Sequence, residues 1–97
     1  MTVSKEDKKK YEQKAELYKI LANPIRLEIL DILKKGETAV ADLIKGLNLR
    51  KANVSQHLSL LRHANIIAPR RQGLTVFYRL AQPKILETNK IIEKIKN

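Results

Sequence analysis

Ninety-seven residues make one small domain, whose core removes only about 60% of the unfolded chain's surface from water. Twenty Lys and Arg stand against ten Asp and Glu, a net charge of +10, so the expected partner is a polyanion: nucleic acid ahead of an anionic membrane surface. The chain has no cysteine and no apolar run near the roughly 20 residues that span a bilayer, which excludes disulfides, thiolate metal sites and transmembrane helices.

Residues 1–7 have no apolar period and are expected to form a flexible N-terminus ahead of a single domain over 8–97. Over 8–22, Tyr11, Ala15, Tyr18 and Leu21, with Leu17 and Ile20 beside them, follow helical spacing. Asn23 and Pro24 supply a cap and a first-turn proline for a second helix, whose apolar face of Ile25, Ile29, Leu30, Ile32 and Leu33 runs to Gly36. Val40, Leu43, Ile44 and Leu47 mark a short third helix that closes at Asn48, a residue type tolerant of left-handed backbone angles.

A fourth helix follows within a few residues. Val54, Leu58, Leu61 and the neighbouring Leu60 form its expected core stripe, while Lys51, Asn53, Ser55, Gln56 and Ser59 lie off it. Two short helices joined by a tight turn, the second with donors and acceptors near its start, outline a helix-turn-helix. The side chains suit base edges: Asn and Gln pair with adenine, Lys reaches guanine or phosphate, and Ser donates or accepts. A solvated helix face would also be polar, so the stretch beyond it carries weight. Asn65 ends the helix, and residues 66–81 read as two strands turning around Gln72 and Gly73, with Pro69 requiring a strand edge. With Arg70, Arg71 and Gln72 at its tip, this ribbon is the wing of a winged helix, placed to meet the DNA backbone or minor groove. The last segment, 83–97, returns to helical spacing through Ile85, Leu86, Ile91, Ile92 and Ile95. On so small a domain these isoleucines are expected to meet a partner, with the first helix as companion; Tyr11 and Leu17 complete the expected dimer interface. The fold class is therefore mainly α with a small β-hairpin, in the order α-α-α-α-β-β-α, dimeric through the helices of 8–22 and 83–97.

The stretches "LANPIRLEILDIL", "ADLIKGLNL", "NVSQHLSLLRHANII" and "RRQGLTVFYRL", in this order and spacing, resemble the ArsR/SmtB-like winged-helix repressors over roughly residues 17–81. The resemblance implies a homodimeric repressor released by an inducer, with the fourth helix in the major groove and the wing beside it. Carried over by position, the base-reading stretch falls on Lys51, Ala52, Asn53, Ser55 and Gln56, and the wing arginines are Arg70 and Arg71. There are departures. Arg50 stands where the family usually caps the recognition helix with Ser; it cannot accept the amide bonds but can grip a phosphate. Gln56 replaces a usual histidine, whereas the next, His57, is retained; it is expected to pack or hydrogen-bond rather than to act as a ligand. Many relatives hold soft metals through a Cys-Val-Cys segment, which here is Ala39-Val40-Ala41 and offers no ligand. Others bind zinc between terminal helices, yet 83–97 contains no histidine.

The expectation is a sequence-specific regulator that binds double-stranded DNA at a palindromic operator, with no cofactor, no metal and no membrane partner. A cytoplasmic location is expected, since residues 1–10 lack a signal peptide's apolar stretch. Arg50 and Arg62 join the wing residues as phosphate contacts. No Gly-rich phosphate loop or paired catalytic carboxylates occur, so an enzyme is not expected. Two alternatives come from other classes: a sequence-neutral architectural nucleic-acid binder, and a winged helix that docks protein. The latter calls for apolar anchors on the fourth helix's polar face, which that face lacks.

Overall fold

The computed structural model describes residues 4–81. The order of elements is α1 (Lys5–Leu21), α2 (Pro24–Lys34), β1 (Thr38–Ala39), α3 (Val40–Leu47), α4 (Lys51–His63), β2 (Ile67–Gln72) and β3 (Thr75–Leu80). The expected final helix over 83–97, and with it Ile85, Ile91, Ile92 and Ile95, lies outside the described residues.

Local chemistry sets the boundaries. The Ser4 hydroxyl accepts the Asp7 amide, so α1 begins at Lys5 and not at Lys8; residues 5–7 are its first turn, not part of a flexible terminus. In α2 the Asn23 side chain accepts the amides of Ile25 and Arg26 at 3.0 and 3.1 Å, and Pro24 takes a first-turn position where no N–H is needed. Asn48 and Asn65 close α3 and α4 with φ of 54° and 60°.

The sheet has three strands, in the order β1-β3-β2, both pairs antiparallel. β1 escapes sequence reading because it is only two residues long, too short to show a period. Pro69 sits on β2, an edge strand that pairs only with β3 among the described residues. The hairpin turn is Gly73-Leu74, one residue beyond the expected Gln72-Gly73, because Gln72 still pairs with Thr75. Gly73 has φ 62° and Leu74 has no positive φ, the pattern of a type II′ turn with glycine first.

One apolar core joins the layers. Ile29, Leu30 and Leu33 from α2, Leu43 and Leu47 from α3, and Val54, Leu58 and Leu61 from α4 meet Ile66, Ile67 and Tyr78 at the base of the sheet. Leu60, expected on the core stripe of α4, is instead 47% exposed; the stripe is narrower than its leucines suggest. On α1 the core takes Leu21, with Leu17 and Ile20 packed against it, while Tyr11 and Tyr18 face outward. The helix thus has two apolar stripes, of which the core uses one. No helix among the described residues is long and apolar enough to cross a membrane.

Candidate nucleic-acid interface

The position of α4 follows from its buried residues. Val54, Leu58 and Leu61 turn inward, so Lys51, Ala52, Asn53, Ser55, Gln56, Ser59 and Arg62 are all left exposed on the rest of the helix. At 100° per residue, Ala52, Ser55, Gln56 and Ser59 fall on the outward arc, and Asn53 on the flank away from the wing. Arg50 occupies the cap position with no side-chain cap bond, so the first-turn amides of α4 keep their partial positive charge beside Arg50 and Lys51.

The flanks of α4 differ. On one, His57 is half-buried and its Nδ1 lies 3.2 Å from an Arg26 guanidinium nitrogen of α2; Arg26 also donates to the Ile20 carbonyl at the end of α1. A guanidinium can only donate, so Nδ1 is the acceptor of this contact, and burial first and the Arg26 charge second lower the His57 pKa from its ordinary value. Arg26 therefore links α1, α2 and α4 through groups that helical periodicity alone does not single out. At the C-terminal turn of α4, His63 Nδ1 lies 2.7 Å from the Ser59 carbonyl and 3.3 Å from its hydroxyl, which ties Ser59 to its own helix.

The other flank faces the wing. Ser55, Ser59, Arg62 and His63 line a cleft closed on the far side by Val40, Val76 and Tyr78. Beyond it, Arg62 and Arg71 line a common hollow with Pro69, Val76 and Tyr78. Lys51 borders a third hollow, between α3 and the Leu74-Thr75-Val76 end of the wing. The register explains which wing residues take part: Arg71 lies opposite Val76 and Pro69 opposite Tyr78, on the face that turns toward α4.

Arg70 and Gln72 alternate to the other face. The Arg70 guanidinium is held by Glu37 at 2.9 and 2.6 Å, donates to the Gln72 side chain at 3.0 Å and lies over the Phe77 ring, 4.6 Å from its centroid. Lys51, Ser55, Ser59, Arg62 and Arg71 thus border three neighbouring hollows that share Val76, and Arg70 and Gln72 are held on the opposite face. Sequence reasoning missed Glu37, because a single carboxylate in the turn before a two-residue strand has no pattern to betray it.

No group of three or more His, Cys, Asp or Glu side chains able to hold a metal occurs among the described residues. At the start of α3, Ala39, Val40 and Ala41 present only methyl and isopropyl groups, so a cysteine-type metal centre does not fit there.

The family model described as bacterial regulatory protein, arsR family, matches residues 23–68, from the cap of α2 into β2. An uncharacterized HTH-type transcriptional regulator of Mycobacterium tuberculosis is 37% identical over 86 residues, covering 88% of this chain and 75% of its own length. The transcriptional repressor PagR of Bacillus anthracis is 36% identical over 98% of this chain and 99% of its own. A solution structure of a homodimeric winged helix-turn-helix DNA-binding domain from Mycobacterium bovis superposes with a TM-score of 0.84 at 28% identity, covering 97% of this chain and 87% of that one.

Proposed function

The chain belongs to the arsR family of bacterial regulatory proteins and is a DNA-binding transcriptional regulator; from that premise we propose that it is a homodimeric repressor acting on a palindromic duplex operator in the cytoplasm. One observation carries the reading: the wing-side flank of α4 and the Arg71 face of the wing border adjoining hollows that share Arg62, Val76 and Tyr78. In the major groove, Lys51, Asn53, Ser55, Gln56 and Ser59 read base edges, and the Ala52 methyl meets thymine methyls. Arg50, beside the uncapped start of α4, holds one phosphate; Arg62 and Arg71 hold another.

Dimerisation supplies the second α4. Tyr11 and Tyr18 are 62% and 45% exposed on α1, an apolar stripe that a second copy covers, with the partly buried Leu17, packed on the core, at its edge. Two recognition helices then meet half-sites about one helical turn, or a multiple of it, apart.

Selection from a randomised duplex library at near-physiological salt, with the footprint and stoichiometry of the winning site, tests the proposal. The expected result is a two-fold symmetric site occupied by two chains. A winner without symmetry bound by one chain, or the absence of any winner, contradicts it.

A further inference from the structure

Adjacent arginines on one strand point to opposite faces, and here the faces have different surroundings. Arg71 shares the α4 side with Pro69, Val76 and Tyr78, and no side-chain hydrogen bond or ion pair engages its guanidinium among the described residues. Arg70 lies on the outer face in a row across the sheet, Arg70 of β2 opposite Phe77 of β3 and Phe77 opposite Ala39 of β1. Its guanidinium crosses β3 over the Phe77 ring and ends on Glu37, in the turn between α2 and β1. Two nitrogens donate to one carboxylate oxygen and a third to Gln72, so each of the three nitrogens is already engaged and three of the five N–H donors are taken.

We propose that Arg70 is a positioning residue that straps the wing to the helical body through Glu37 and Phe77, while Arg71 alone of the pair contacts a DNA phosphate. The second half of this assignment rests on the DNA-binding reading above; the first half does not. Electrostatics agree with the strap: the hydrogen bond from Arg70 holds the Glu37 carboxyl below its usual range, and the same bond raises Arg70. The geometry also supplies a reason for the strap. In the distal half of the wing no side chain among the described residues is fully buried and Val76 packs only partly against the core, and a two-stranded ribbon with so little burial is marginal without further support. Ordering the ribbon before DNA arrives lowers the entropic cost of placing Arg71.

The test uses the full chain and the variants Arg70→Met, Glu37→Gln and Arg71→Met. Methionine keeps an apolar stem over Phe77 without the charge. Two readouts separate the halves of the proposal. Amide exchange in the DNA-free protein should quicken about three- to tenfold along β2 and β3 in Arg70→Met and Glu37→Gln, and stay unchanged in Arg71→Met. Binding to the selected duplex over a salt series should weaken about three- to tenfold in Arg70→Met and Glu37→Gln with the salt slope intact, whereas Arg71→Met should lower the slope by about 0.9. A slope lowered by Arg70→Met, or binding tightened by Glu37→Gln because a freed arginine reaches DNA, would overturn the assignment. Unchanged exchange in both strap variants overturns the strap itself. If no duplex is preferred, the regulator reading fails while the exchange result still decides the strap.

Discussion

The recognition helix and the wing are held in place by different physics. α4 is anchored by Val54, Leu58 and Leu61, exposed by 0, 3 and 0%, against leucines and isoleucines from α2, α3 and the base of the sheet. The wing is anchored less toward its tip: Arg70, Arg71, Gln72 and Leu74 are all exposed, Val76 packs only partly against the core, and among the described residues the short β1 pairing at Ala39 and Phe77 and one ion pair over the Phe77 ring tie it to the body. Apolar burial responds weakly to salt and pH, whereas an exposed ion pair responds to both. The angle at which α4 is presented is therefore built in, and the reach of the wing depends on conditions.

If that division is right, perturbations should fall into a graded series. Leu61→Ala should be the most damaging, lowering the unfolding free energy by about 2–5 kcal/mol in urea titrations and abolishing DNA binding through loss of the fold. Asn23→Ala removes the acceptor of two α2 amides and should cost about 1 kcal/mol by thermal denaturation, with no change in preference among duplexes. Arg71→Ala should leave unfolding within about 0.5 kcal/mol of the parent, because the side chain is exposed and makes no ion pair or side-chain hydrogen bond among the described residues. Smallest is the pH effect. His57 has a folded pKa below 6.5, so the folded state binds fewer protons than the unfolded one just below that value. Its contribution is fully present above pH 6.5 and is lost as pH falls through the folded pKa. Stability should decline gently over that window, and His57→Gln should flatten the decline. Glu37, depressed from 4.5, follows the same sign lower down, and Glu37→Gln should remove its part.

Much of this was open to sequence reasoning for local reasons. Asn23 with Pro24, Asn48 and Asn65 announce helix ends because their side chains or backbone angles serve only there. The polar face of α4 is likewise read from spacing, since burial of Val54, Leu58 and Leu61 leaves the intervening positions outside. Leu60 shows the limit: composition marks it as core, but at its angle no partner element stands among the described residues. Ser4 starts α1 earlier than the apolar period does, because capping needs no apolar residue. The wing was visible as a hairpin, yet the roles of Arg70 and Arg71 were not separable. Alternation places them on opposite faces, but only the tertiary position of α4 and Glu37 says which face meets what. β1, contributed by a turn distant in sequence, left no trace at all.

The division of labour can be tested by titrating the selected operator and a scrambled duplex with the parent chain and with Gln56→Ala. The parent should prefer the operator by about 10³-fold or more, and Gln56→Ala should shrink that ratio by about tenfold while binding the scrambled duplex as before. A parent that binds both duplexes alike, or a Gln56→Ala chain that keeps the full preference, contradicts base reading by α4.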